Sequence, residues 1–277
     1  MRSYLAIDCD YLGRSAHAKM ANLSRGAMYG FLLRLRSFLN EFGDMTPLFC
    51  FDSRHLLREE IYPDYKSTRK KKRAKADPEE KERERRYRSQ MTQLRKQILP
   101  ELGFSNVIHC DGFEADDHLA QICKQRPRSS ILIVATDHDL YQLLSANVSM
   151  FKPNPGNIYD QSDFEKEFGI SPIQWSEVKA IAGCSSDDIR GVCRVGESTA
   201  CKFLTGEINS GRKFDAINGF LGTEYYALNQ RLVELPFEGT PKIRIKKQNT
   251  QHAKNWRRVM KSLKFPSLVD PAPGSFV

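Results

Sequence analysis

The stretch "GFEADDHLA" (112–120) sets three carboxylates, Glu114, Asp116 and Asp117, within four positions, directly after the apolar run "VIHC". Acids in a first helical turn complement the macrodipole and cap free amides, each worth about 0.3–2 kcal/mol. Three so close together also repel one another unless something neutralises them. Acids recur after other apolar runs. Asp8 ends "YLAID" (4–8), Asp52 ends "TPLFCFD" (46–52), and Asp137 ends "ILIVATD" (131–137) with Asp139 two residues on. Hard divalent ions suit such a cluster, since Mg²⁺ takes oxygen ligands while keeping several waters. Two ions about 4 Å apart activate a water and stabilise the leaving oxygen of a phosphodiester. The chemistry these residues point to is metal-dependent phosphodiester hydrolysis.

The elements that must position these acids alternate in type over the first 160 residues. Short runs rich in β-branched and aromatic residues at 4–8, 46–52, 106–110, 131–137 and 147–151 read as strands. Between the first two, "RGAMYGFLLRLRSFLNEFG" has helical spacing and a candidate C-cap in Gly43. "EADDHLAQICKQ" and "DLYQLLS" supply later helices. This alternation predicts an α/β fold with a mostly parallel central sheet and helices on both faces. Ligands bind beyond the carboxyl ends of such strands, so four strands deliver acids to one edge. From about 160 the pattern turns helical. "SDFEKEFG" is a short capped helix, and "SPIQWSEVKAIAG" another with Ser171 at N-cap and Pro172 at N1. A turn, a glycine-bearing hairpin and a helix follow over 184–204. "KIRIKK" (242–247) alternates like an exposed strand, and "KNWRRVMKSLKF" (254–265) is a basic amphipathic helix. The reading divides the chain into a core at 1–160 and a helical region at 161–277.

Charge is distributed unevenly. The net charge of the 277 residues is +9, yet 66–88 carries +7 and 240–265, with nine Lys/Arg and no acid, carries +9, leaving −7 elsewhere. Basic segments attract phosphate backbones and acid clusters attract divalent cations. Seven cysteines without a C-x-x-C pair argue against a disulfide framework, and the spacing of Cys184, Cys193 and Cys201 matches no common zinc pattern. No apolar run is long enough to span a membrane and no signal peptide is recognisable, so the expected location is cytoplasmic.

Five segments, "AIDCDYLGRSAHA", "CFDSRHLLREEIYPDYKSTR", "GFEADDHLA", "ATDHDLYQLL" and "VKAIAGCSSDDIRGV", occur in an order that resembles the 5′ nuclease family. That family comprises the flap endonuclease and 5′→3′ exonuclease domains of bacterial DNA polymerase I and their free-standing phage relatives. The resemblance implies a PIN-like 5′ nuclease core, a helical arch over about 66–100, and a helix-hairpin-helix-type motif over about 184–204. It implies a first metal held by Asp8, Asp52, Glu114 and Asp116, and a second served by Asp117, Asp137, Asp139 and Asp187. Lys66 and Arg69 are the implied catalytic cations at the scissile phosphate. Arg58, Tyr65, Lys70, Lys71, Lys72 and Arg73 are implied DNA contacts around the arch. Arg190, Gly191, Val192, Arg194, Gly196, Ser198 and Thr199 are the implied contacts at the hairpin. The cofactors implied are two Mg²⁺ or Mn²⁺ ions, with K⁺ at the hairpin. The partners are DNA with 5′ flaps or ends and RNA/DNA primer hybrids, met by a monomer in replication or repair of a bacterial or phage-infected cell.

Two departures stand out. The fifth segment reads "GCSSDD" where the family pattern is Gly-Asp-x-x-Asp-Asn, so Cys184 occupies an acid's position, and a neutral thiol is a poor ligand for Mg²⁺. The expectation is a weaker second site that works relatively better with Mn²⁺. The hairpin reads "GVCRVGESTA" where the pattern is Gly-Val-x-Gly-Ile-Gly-x-Lys-Thr-Ala. Arg194 thus replaces a glycine and Ser198 a lysine. Two alternatives compete with an active nuclease: a DNA-binding relative whose catalysis has faded at Cys184, and a PIN-type ribonuclease. Retention of the other carboxylates argues against the first, and "YKSTR" with the hairpin disfavours the second. The terminal "DPAPGSFV" contains no recognisable sliding-clamp peptide.

Overall fold

A computed structural model describes residues 2–20, 23–154, 156–246 and 253–273. Six strands form one sheet: β1 (Ser3–Asp8), β2 (Thr46–Cys50), β3 (Val107–Ile108), β4 (Ser130–Val134), β5 (Val148–Lys152) and β6 (Asn157–Tyr159). Their order is β3-β2-β1-β4-β5-β6, parallel throughout except for β6, which runs antiparallel to β5. The five expected strands are present; β6 is an addition that the polar turn before it concealed.

Continuous apolar strands are what a sheet covered on both faces requires. Leu5, Ile7, Phe49, Leu132 and Val134 enter one core, with the helices Cys9–Met20, Gly26–Glu41 and Ala253–Ser262. Tyr4, Ala6, Leu48, Cys50, Ile131 and Ile133 enter the other, with the helices Ala115–Gln125 and Trp175–Ala182. Register aligns the strand ends: Asp8 lies opposite Cys50, and Ile7 opposite Val134.

Three local expectations change. The second helix ends at Glu41 with Phe42 as its C-cap, because the Phe42 N–H donates to the Phe38 carbonyl before Gly43 is reached. Residues 242–246 of "KIRIKK" form no strand; side-chain amides replace the ladder. Ile243 N–H donates to Gln125 Oε1 at 2.9 Å, and Lys246 N–H to Asn106 Oδ1 at 2.8 Å. Residue 247 of that run and residues 274–277 of "DPAPGSFV" lie outside the described residues. Finally, "DLYQLLS" forms a 3₁₀ helix, His138–Leu143, rather than an α-helix.

The basic C-terminal helix is part of the first core rather than an appendage. Trp256, Val259 and Met260 are fully buried, and Trp256 Nε1 donates to the Leu268 carbonyl at 2.7 Å. Trp256→Ala is therefore expected to destabilise the whole fold by about 3–5 kcal/mol. A urea titration in which the variant unfolds at the wild-type midpoint would refute this.

Candidate metal centre and nucleic-acid interface

Four acids at the sheet edge, Asp8, Asp10, Asp52 and Asp137, each accept from a backbone amide. Asp8, the last residue of β1, accepts from Tyr11 N–H at 2.9 Å, in the first turn of the following helix. Asp10 accepts from Asp52 N–H at 2.8 Å, and Asp52 accepts from Ala115 N–H at 2.8 Å. Asp137 accepts from Asp139 N–H at 3.0 Å. Capping and clustering are thus one arrangement: an oxygen that caps a helix or turn fixes the carboxylate whose charge faces its neighbours. Asp10 was missed by sequence reasoning, although its spacing from Asp8 in "DCD" is the signal that could have found it.

Among the described residues, Asp8, Asp10, Asp52, Asp116 and Asp137 have no Lys, Arg or His within ion-pair distance. Burial and the charges of Asp10 and Asp137 push the Asp8 carboxyl up to about 7. Burial, with Asp137, Asp8, Glu114 and Asp52 nearby, holds Asp116 well above the usual carboxylate range. Uncompensated carboxylates fixed at one edge are the donor set a hard divalent ion takes, so these residues fit the metal that the sequence implies.

The acids beyond them are differently placed. Burial works against ionisation of Glu114, but Lys66 and Arg58 pull it down to about 2. Lys66 Nζ bonds Glu114 Oε1 and lies 3.7 Å from Asp187 Oδ1; Arg69 Nη2 lies 3.2 Å from the same Asp187 oxygen. Ligand atoms of Asp139, Cys184 and Asp187 all fall within 4.8 Å of one another. Cys184 therefore does sit among the acids, its Sγ 3.0 Å from Ser186 Oγ. Lys179, unnoticed in the sequence, places Nζ 2.8 Å from Asp139 and 3.0 Å from Glu197. It is the sole charge in "VKAIAG", and a lone charge in an apolar helical stretch was the signal for a buried partner.

Three assignments are corrected. Asp117 is fully buried, and its two oxygens accept four hydrogen bonds: Arg58 Nη1 (2.7 Å), Arg58 Nη2 (2.8 Å), Glu114 N–H (2.9 Å) and Phe237 N–H (2.9 Å). No lone pair remains for a metal. Arg58 Nε donates to the Leu232 carbonyl at 2.9 Å, and Nη1 also lies 3.4 Å from Glu114. The guanidinium sits over the Phe237 ring, so the side chain is buried rather than presented at the surface. Tyr65 is also buried, its hydroxyl donating to Glu114 Oε2 at 2.7 Å. These three residues lock the arch base to the C-terminal region and orient the acids.

The helices Ser67–Lys75 and Pro78–Gln93 form the expected arch, with Asp77 capping the second and Pro78 in its first turn. An opening of about 660 Å³ beneath them is walled by Asp10, Asp52 and Glu114 and by Lys66, Arg69 and Arg88. Lys70 pairs with Glu59 at 2.6 Å, whereas Lys71, Lys72 and Arg73 are exposed. A groove of about 820 Å³ runs from Thr68 and Lys71 to Arg190, Val192, Arg194 and Gly196. The segment 183–196 between two helices carries a short hairpin, Gly183–Cys184 with Ile189–Arg190. A Cβ on Gly191 would lie 2.1 Å from the Ala182 carbonyl carbon, so only glycine fits there. Arg194 does adopt the left-handed backbone its glycine counterpart would favour, with φ 60°. Gly196 caps the Glu197–Leu204 helix without a side-chain bond, and Ser198 is exposed while Thr199 lies half-buried in its first turn.

An acid-edged parallel sheet under a basic helical arch defines a PIN-like α/β domain. The chain belongs to the family of the 5′-3′ exonuclease N-terminal, resolvase-like domain, whose model matches residues 1–169. It is similar to the thermostable DNA polymerase I of Thermus thermophilus, 29% identical over 88% of this chain, and to that of Thermus aquaticus, 33% identical over 72%. The matches span 29% and 23% of those polymerases' own lengths. Its fold is similar to that of a bacteriophage T5 flap endonuclease in a pseudo-enzyme–product complex with DNA and metal ions (TM-score 0.72, 24% identity, 85% of this chain and 90% of that one). A T5 5′-exonuclease with divalent metal ions (zinc) bound is likewise similar, with TM-score 0.73, 20% identity, and 97% and 100% coverage.

Adjacent acids should respond oppositely to neutralisation. Asp117→Asn leaves the buried Arg58 charge with Glu114, at 3.4 Å, as its remaining carboxylate partner and is expected to cost about 3 kcal/mol or more. Asp116→Asn relieves repulsion and should stabilise the metal-free protein. Denaturant unfolding in EDTA at pH 8 measures both, and equal signs would refute the division of roles.

The raised Asp8 group also sets a pH dependence. Its folded-state value, about 7, exceeds the ordinary 3.8, so its stabilising contribution is complete below pH 3.8 and is lost as pH rises to 7. A divalent ion binds the deprotonated form, so the rise in melting temperature on adding Mn²⁺ should be larger at pH 8 than at pH 6. A shift independent of pH would contradict it.

Proposed function

We propose that the chain is a divalent-metal-dependent, structure-specific 5′ nuclease that hydrolyses DNA phosphodiesters near 5′ flaps, 5′ ends and single-strand/duplex junctions. The observation that carries this reading is the set of uncompensated acids at the sheet edge, of which Asp10 and Asp52 wall the opening beneath an arch that carries Lys and Arg. The acids attract what neutralises them, and the arch attracts a phosphate backbone.

Asp8, Asp52 and Asp116 would hold Mg²⁺ or Mn²⁺ with Asp137, and with Asp10 beside them. When bound, the ion supplies Lewis-acid charge and an acidified water. Glu114 and Asp187 hold Lys66 and Arg69 at the mouth of the site. Lys66 has its ionisation pushed upward: burial opposes its charge, but Glu114 and Asp187 outweigh that effect. It therefore stays cationic throughout the working pH range and acts on the phosphate by charge rather than by proton donation. Lys71, Lys72 and Arg73 would track the single strand. Arg190, Arg194 and the open amide groups after Gly196 would take duplex phosphates, the kind of ligand a helix N-terminus accepts. RNA/DNA primer hybrids are a further substrate class, and a monomer acting in the cytoplasm of a bacterial or phage-infected cell is the expected form. None of the described helices is long and apolar enough to cross a membrane.

Cleavage of 5′-flap DNA, blunt duplex and structured RNA, with Mg²⁺ and with EDTA, tests the reading. Flap DNA should be cut in Mg²⁺ only, leaving a 5′-phosphate. Lys66→Ala should lower the single-turnover rate by about 10²–10³-fold with little change in affinity. Neutralising Lys71 with Lys72 should instead weaken binding and flatten its salt dependence. Activity surviving in EDTA, or preference for structured RNA, would overturn the proposal.

A further inference from the structure

We propose that this chain binds a single divalent ion with high affinity, at the Asp8–Asp52–Asp116–Asp137 edge, and that the Lys179 ammonium stands where a second ion would otherwise be held. The inference rests on the nuclease reading above and specifies its metal requirement.

Ion pairing divides the acids into two groups. Around Cys184, Asp139, Asp187 and Glu197 each have a side-chain cation within 4 Å. Asp139 and Glu197 share Lys179 at 2.8 and 3.0 Å, and Asp187 faces Arg69 at 3.2 Å and Lys66 at 3.7 Å. Glu114 has Lys66 and Arg58. At the strand ends, none of Asp8, Asp10, Asp52, Asp116 and Asp137 has such a partner among the described residues. One group needs an external cation, and the other has been supplied with internal ones.

The donor set agrees. Asp139, Cys184 and Asp187 are close enough to share an ion, but one donor is a neutral thiol hydrogen-bonded to Ser186, and both acids are already paired. A hard dication there would have to displace Lys179 from Asp139 or accept an ammonium next to it. Lys179 is not free to swing away, since its side chain is 7% exposed and its helix, Trp175–Ala182, lies against the second core. The residues around Cys184 therefore do not fit a second Mg²⁺, and restoring an acid at position 184 alone would leave Lys179 in place.

Counting bound Mn²⁺ on the DNA-free protein, by loss of the free-ion electron paramagnetic resonance signal, tests this without reference to activity. The wild type should bind one ion tightly, with any second ion at least tenfold weaker. Asp139→Asn should leave that count unchanged, whereas Asp8→Asn should abolish tight binding. The double variant Lys179→Met/Cys184→Asp should gain a second ion at least tenfold tighter than Cys184→Asp alone. Should the double variant fail to fold by circular dichroism, the wild-type and Asp139→Asn counts decide. Two ions of comparable affinity in the wild type, or loss of the tight ion in Asp139→Asn, would overturn the inference while leaving the nuclease reading intact. A wild type that binds no Mn²⁺ at all would overturn both.

Discussion

Mutual repulsion among Asp8, Asp10, Asp52, Asp116 and Asp137 is the constraint that the structure has to satisfy. Left to itself such a group would disperse or protonate, and the upward push on Asp8 and Asp116 records that tendency. Backbone amides hold the carboxylates of Asp8, Asp10, Asp52 and Asp137 in place, and the elements around them are seated on two apolar cores. The cost of assembling the charge is thus offset in the two apolar cores, by fully buried side chains such as Leu5, Trp175 and Trp256.

The arch is joined to the site by the same economy of charges. Lys66 has a left-handed backbone, φ 53°, which a side-chain-bearing residue adopts at some cost. Its N–H donates to the Asp187 carbonyl at 3.0 Å while its ammonium bonds Glu114. One residue therefore connects the first arch helix, the acid after β3 and the hairpin region. Arg58 and Asp117 extend this lock to Leu232 and Phe237, so the arch base, the acids and the C-terminal region are set relative to one another by buried ion pairs. Buried pairs of this kind specify geometry more than they add stability.

What could be read from sequence follows from what periodicity encodes. The strands, the carboxyl-edge convergence and the arch were legible because apolar runs, turn residues and charge blocks repeat along the chain. Direction outside regular elements was not. Arg58 opens the single helical turn Arg58–Ile61 and Tyr65 lies in the turn after it, segments too short for a period to state which side chains turn inward. Asp117 was grouped with Asp116 because they are adjacent, yet successive helical residues point about 100° apart, and that angle separates a cluster acid from a structural one. Lys179 and Asp10 were missed for a related reason: each derives its meaning from a partner distant in sequence. Residues 242–246 alternate like a strand, but only the fold reveals that Asn106 and Gln125 meet their backbone in place of a neighbouring strand.

The two departures from the family pattern have a common physical sense. At position 184 an acid is exchanged for a thiol, and Lys179 neutralises the neighbouring Asp139. At position 194 a glycine is exchanged for an arginine that accepts φ 60° and brings a guanidinium to the hairpin surface. In the pattern the sequence resembles, both places rely on diffusible ions, a second divalent ion and K⁺. Here each has a cation attached to the chain. A tethered cation has no binding equilibrium, so its charge is present at every ionic composition. On this reading the protein trades the tunable electrostatics of bound ions for fixed charge and concentrates its dependence on dissolved metal in the sheet-edge acids, which have no cation partner among the described residues.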